Sequence, residues 1–307
     1  TATAHRAPIV AHNPTTDPSG ANALFQLLWR AMQAQIGPKP LDVQWTADRL
    51  AFGPSDAPIQ LEDLSGSMKS QPEAVLSQLQ FRLAGSASAE PAHIELHRNR
   101  QTSPAGVELK LYTGAGPLPC RLLAVGLPAF QTPGPDCRFR GYLRADRTSD
   151  GWLGELTGHF SEVDFGQLVQ EQFAQHLTGV GQLTVERAGF NQGRIEYAWG
   201  SIAFGPGTLA SPLLDNAVEQ MSLIRNSLPG TQDGRVAYQE LAANWQLTAD
   251  GLRLEGRCAS GNPGTLLVGT EPWQVGEPVI QPLPVAALVR TLVPRDSPKV
   301  PATCEAE

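Results

Sequence analysis

The densest cluster of metal-ligating side chains is the run His93-Ile94-Glu95-Leu96-His97. Two imidazoles and a carboxylate form a donor set that zinc or iron accepts. The run alternates polar with apolar residues and so reads as a strand. His93, Glu95 and His97 then line one face, and Ile94 and Leu96 the other. On a strand, positions i and i+4 stand ~13 Å apart at ~3.3 Å per residue, too far for both imidazoles to reach one ion unless a bulge intervenes. Nor is this the helical H-E-x-x-H arrangement. The plain reading is the solvated face of a strand.

Other chemistry finds less support. There is no G-x-S-x-G elbow, and His5, His12, His159 and His176 are scattered. Gly114-Ala115-Gly116 lacks the third glycine of a dinucleotide fingerprint, and no Gly-Lys-Ser/Thr follows it. Gly179-Val180-Gly181 leads into a strand and reads as turn geometry. Glu162/Asp164 and Asp42/Asp48 sit at turn or alternating positions, where solvated charge is the default. The expectation is a protein with no catalytic residue, no metal and no cofactor. None of the four cysteines, Cys120, Cys137, Cys258 and Cys304, sits in a C-x-x-C pair. An even count permits two disulfides, and Cys120 with Cys137 is favoured because the two flank one Pro/Gly-rich connection. Four separate thiols stay open, since sequence does not fix pairing.

The elements that must position these residues are mostly strands. Val43, Trp45 and Ala47 alternate with polar residues, as do Leu79, Phe81 and Leu83, and Val107, Leu109 and Leu111. Period-two alternation means one buried and one wet face. Further strands are expected at Ile59 to Met68, Phe139 to Leu143, Trp152 to Phe160, Val180 to Val185, Ile195 to Phe204, Arg235 to Thr248 and Leu252 to Cys258. Helices are expected at Leu24 to Ile36, Phe165 to His176, Pro212 to Leu228 (with Ser211 as cap) and Pro284 to Val293. Without regular βαβ alternation, the fold class is mainly β: a curved antiparallel sheet or β-groove with a few amphipathic helices. Residues 1–23 read as an arm, 24–136 and 137–294 as two continuous strand-rich regions, and 295–307 as a tail.

Composition bounds the partners. The chain has 307 residues, a net charge of -7 and 17% charged residues. With a pI near 5.4 and no Lys/Arg-rich run, it is not expected to bind nucleic acid or a membrane through a polybasic patch. The most apolar stretch, Leu122 to Phe130, is far short of the ~20 residues of a spanning helix. A start at Thr1 reads as a piece of a longer protein. What remains is a surface. An incompletely covered apolar sheet face is a trough that holds acyl chains at ~0.8 kcal/mol per buried CH₂. Its candidate lining is Val43, Trp45, Leu79, Phe81, Val107, Leu109, Leu183, Val185, Ile195, Tyr197 and Trp199. The alternative is a core filled by the chain's own helices, in a structural or protein-interaction domain.

One resemblance is carried by Leu177-Thr178-Gly179-Val180-Gly181-Gln182-Leu183, by Asn191-Gln192-Gly193-Arg194-Ile195-Glu196-Tyr197-Ala198-Trp199-Gly200, and by Gly205-Pro206-Gly207-Thr208-Leu209-Ala210-Ser211. These runs resemble the AsmA-like proteins of the bacterial envelope, as do the block from Val43 to Met68 and the tail from Pro282. The resemblance implies a periplasmic location, an N-terminal membrane anchor outside this chain, and a β-groove serving lipid transport or outer-membrane assembly. Lipid or an envelope protein would be the partner. It brings no catalytic residues.

Overall fold

The computed structural model describes residues 41–52, 58–86, 90–101, 106–123, 133–170, 176–192 and 194–292. The expected helix at 24–36, the arm and the tail lie outside the described residues. The protein is mainly β, with strands β1 (Leu41–Phe52), β2 (Ile59–Ser70), β3 (Ala74–Leu83), β4 (Ala92–Asn99), β5 (Gly106–Tyr112) and β6 (Leu118–Pro119). After helix α1 (Cys120–Leu123) come β7 (Arg138–Thr148) and β8 (Gly151–Asp164), then α2 (Phe165–Gln170), β9 (Val180–Asn191), β10 (Arg194–Phe204) and β11 (Gly207–Ala210). Helix α3 (Ser211–Gln220) precedes β12 (Leu223–Arg225), β13 (Arg235–Thr248), β14 (Gly251–Gly256), β15 (Thr265–Gly269), β16 (Gln274–Pro278) and α4 (Val285–Leu292). The strands form one antiparallel sheet that does not close, ordered β1-β2-β3-β4-β5-β7-β8-β9-β10-β13-β15-β16-β12.

By packing, the chain divides into two compact units that cut across chain order. The first holds the residues through 131, Pro135–Ser161 and Thr184–Ala198; the second holds Thr132–Gly134, Glu162–Leu183 and Trp199 onward. The first therefore runs on past residue 136, because hairpins β7–β8 and β9–β10 carry part of their length into it.

In the first unit the strand register follows the apolar pattern. Residues directly opposite in an antiparallel pair share a face. One row runs Trp45, Gly66, Leu79, Ile94, Leu111, Leu143, Leu156 across β1, β2, β3, β4, β5, β7 and β8. On β2 the alternation breaks between Leu61 and Leu64, both buried although three residues apart. Asp63 has φ 52°, and the register with β3 shifts between Glu62 and Ser65, so a bulge returns Leu64 to the apolar side.

Gly66 is needed for a packing reason. The indole of Trp45 lies across it where a Cβ would stand. An aromatic ring laid over a cross-strand glycine keeps apolar cover where the glycine has no side chain. Gly66→Ala should push the ring off its neighbours and lower stability by ~1–3 kcal/mol. Equilibrium urea unfolding, with Trp fluorescence as the probe, reads this directly.

The second unit is a sheet with helices packed on it. Leu213 and Leu214 of α3 are buried with Leu177, Leu209, Val236, Tyr238, Leu267, Trp273 and Val275, and Phe165 and Leu168 of α2 pack against them. Helix α3 is shorter than the Pro212–Leu228 expected. Met221 ends it, donating its N–H to the Ala217 carbonyl (3.0 Å), and Ser222 turns left-handed at φ 52°. Leu223 and Arg225 then pair with β16, which takes Ile224 off the helix stripe. Ser211 is not the cap. Ala210 holds that position, and the Ser211 N–H donates to the Gly234 carbonyl (2.9 Å).

Candidate functional site: an apolar sheet face and its charged reverse

Six of the eleven candidate lining residues share one face of the first unit. Trp45 and Leu79 lie in the row already traced. Val43 and Leu109 lie in the next, with Met68, Ser77, Leu96, Ala145 and Gly154. Val107 follows through Val75 and Arg98, and Phe81 sits opposite Ala92. Val185 joins them: its neighbour Thr184 meets His159 at 3.0 Å on the reverse side, so Val185 turns to the apolar one. The row spans seven strands, about 29 Å at ~4.8 Å per strand.

Exposure is uneven along this face. Val43 and Trp45, on β1 at the end of the sheet order, are half-buried, whereas Leu79, Phe81, Val107 and Leu109 are buried. A cavity of about 10 Å³ beside Phe81, lined also by Ala92, Thr113 and Leu118, has room for about one water.

Two candidates belong elsewhere. The Tyr197 hydroxyl donates to Glu155 Oε1 at 3.0 Å, and Glu155 lies on the face opposite Leu156, so Tyr197 is on the wet side. Ile195, two residues earlier on β10, is 60% exposed. Their alternation with polar residues was right for a strand, but period two does not say which phase faces the core. Leu183 and Trp199 fall in the second unit, each half-buried.

The wet face carries an ordered ladder. Gln44, Ser67, Gln78, Glu95, Lys110, Arg144 and Glu155 stand directly opposite one another from β1 to β8. Gln78 donates to Glu95 (3.0 Å), and Lys110 to the other Glu95 oxygen (3.1 Å). Lys110 and Arg144 are like charges in adjacent positions, and Glu108 bridges them at 3.3 and 2.9 Å. Arg187 pairs with Glu155 (2.9 Å) and lies 5.7 Å from the Tyr197 ring centroid. Glu95 is thus committed to Gln78 and Lys110, not to the flanking imidazoles. Among the described residues, no group of three His, Cys, Asp or Glu is placed to hold a metal.

The donated bonds from Arg187 and then Tyr197 hold the Glu155 carboxyl below the usual carboxylate range. A folded pKa below the unfolded one stabilises the fold above the unfolded value, near ~4.3, and that gain is lost as pH falls through the folded value. The side chain is half exposed, so the effect is small and screened by salt. Glu155→Gln should flatten the acid limb of a stability–pH curve slightly at low salt and leave it unchanged at high salt, as urea midpoints across that range would report.

In the second unit, one imidazole does meet a hydroxyl: His176 Nε2 lies 3.1 Å from Thr208 Oγ1. The hydroxyl also meets Thr178 Oγ1 at 3.0 Å, and the Thr208 N–H donates to Thr178 Oγ1 at 2.9 Å. Tyr238, buried with its pKa pushed up to about 12 by desolvation, donates to the Thr178 carbonyl at 2.6 Å. These bonds clasp the Leu177-Thr178-Gly179 and Gly207-Thr208-Leu209 runs together. Gly179 (φ 139°) and Gly207 both lie where a Cβ would strike the Tyr238 phenol. The glycines of these runs therefore serve close packing around Tyr238.

Cys120 and Cys137 are bonded as a disulfide, with Cα atoms 5.4 Å apart and the Cys120 N–H donating to the Cys137 carbonyl at 2.8 Å. Cys258 is a buried free thiol whose pKa desolvation pushes up to about 11. The class defined by fold and surface is an open antiparallel-sheet protein with one apolar and one ion-paired face. Comparison with protein-family profiles, curated proteins and solved structures finds no match for this chain.

Proposed function

We propose that this chain is a non-catalytic module of the bacterial cell envelope, of AsmA-like type, that shields lipid acyl chains against the apolar face of its first unit. The observation that supports this reading is the in-register apolar face, about seven strands wide, on a sheet that does not close. It is most accessible at the β1 margin, where Val43 and Trp45 are half-buried. Burial alone gives such a surface affinity for acyl chains of any headgroup. The charged ladder on the reverse face keeps that side in water and fixes strand register. Support of outer-membrane assembly is the other role such a module could serve in the envelope.

A second reading has its own observation. Phe81 and Leu79 are 0 and 1% exposed, as in a sealed core. On that reading the module is a structural or protein-interaction domain. Native mass spectrometry of protein purified from membranes decides between them. The acyl-shield reading expects a retained phospholipid mass that survives gel filtration and disappears in Trp45→Glu. Bare protein alone in the spectrum supports the structural domain.

A further inference from the structure

Five large apolar side chains of the stretch Val279–Leu292 turn outward, while Leu283 is buried and Leu292 packs against the core of the second unit. Val279, Ile280, Val285, Leu288 and Val289 are 70, 69, 45, 37 and 46% exposed. In α4 the buried residues are the small ones, Ala287 and Thr291, while Val285, Leu288 and Val289 follow i, i+3, i+4 spacing on the exposed side. A helix packing only on its own core would do the reverse. The loop before it is held in place. The Val279 N–H donates to the Ser222 carbonyl (3.0 Å), the Gln281 side chain bonds both the N–H and the carbonyl of Leu254 (2.8 Å each), and Leu283 pairs with Leu252 (2.8 and 2.7 Å). The apolar strip is therefore presented by a fixed scaffold.

Its charge points to one occupant. In a chain of net charge -7, this stretch contains no Asp or Glu and one cation, Arg290, in the last turn of α4. A symmetric pairing with a second copy would set Arg290 against a strip that holds no carboxylate to answer it. A bilayer interface accepts Val, Ile and Leu side chains in any geometry and offers phosphates to Arg290. We propose that the strip Val279, Ile280, Val285, Leu288 and Val289 seats in the interfacial layer of a lipid bilayer, with α4 lying along the surface. This does not rest on the acyl-chain reading, which concerns the first unit.

The test is flotation of the whole chain with unilamellar vesicles of phosphatidylcholine, alone and mixed with phosphatidylglycerol. The unaltered protein should float with both and more strongly with the mixture. Ile280→Glu and Leu288→Glu should each lower partitioning by about tenfold. Both sites are exposed, so thermal midpoints should stay unchanged. Leu153→Glu, at an exposed apolar residue of the first unit, should float like the parent. The proposal is overturned if the parent stays at the bottom of the gradient, or if all three variants lose partitioning equally. It is also overturned if light scattering shows a dimer that Leu288→Glu dissolves while vesicle binding persists.

Discussion

Phe81→Asp should unfold the first unit, whereas Ile195→Asp should leave it folded. Both residues were candidates for the same solvent-reachable trough, where a carboxylate would be tolerated. The structure separates them. Phe81 is fully buried on the apolar face, and Ile195 is 60% exposed on a strand whose neighbour Tyr197 points to the wet side. Truncating a buried Phe to Ala costs ~3–5 kcal/mol, and a carboxylate in its place adds the penalty of an unpaired charge. Against a total of ~5–15 kcal/mol for a domain, that is decisive. An exposed substitution stays within ~0.5 kcal/mol. Thermal unfolding by circular dichroism should therefore show loss of the cooperative transition for Phe81→Asp and a near-parental midpoint for Ile195→Asp. A folded Phe81→Asp protein would mean that water reaches this position of the apolar face.

Breaking the Cys120–Cys137 bond should have the next largest effect. The cysteines are 17 residues apart, and a loop of that size corresponds to ~3 kcal/mol of restraint on the unfolded chain. Cys120 and Cys137 are both buried, beside Leu118 and Phe139, which pair across β6 and β7. Reduction, or Cys137→Ser, should lower the melting midpoint by ~6–12 °C. Peptide mapping should find Cys258 unlabelled by iodoacetamide in either folded form, because it is buried and its thiol is held protonated well above neutral pH. An unchanged midpoint after complete reduction would contradict a stabilising role for the bond.

How far the sequence carried the structure varies by element. The hairpins from β1 to β5 were legible because alternation and turn residues agree, and Val43, Leu79 and Leu109 do share a face. The same rule misplaced Tyr197. Period two fixes alternation but not phase, and phase on β10 is set by contacts with Glu155 and Arg187 from β8 and β9. The end of α3 was missed for a related reason. Ile224 fits the helix stripe in sequence, but the left-handed turn at Ser222 and pairing with β16 take over. Gly179 was readable as a turn residue. That Tyr238, some sixty residues away, fills the space where a side chain would stand at Gly179, and at Gly207, was not. The charge ladder was invisible for the same reason, since each charge is ordinary alone and the row exists only once register is known.

The acyl-chain account is tested most directly at the β1 margin. A photoreactive benzoylphenylalanine in place of Trp45, half-buried on the apolar face, should crosslink to phospholipid when irradiated in envelope preparations. The same group in place of Ile195, on the wet face, should not. Lipid adducts at 45 and none at 195 are the predicted result. Adducts at neither position, or equally at both, would contradict an acyl-binding face and leave the sheet as a structural or protein-interaction domain.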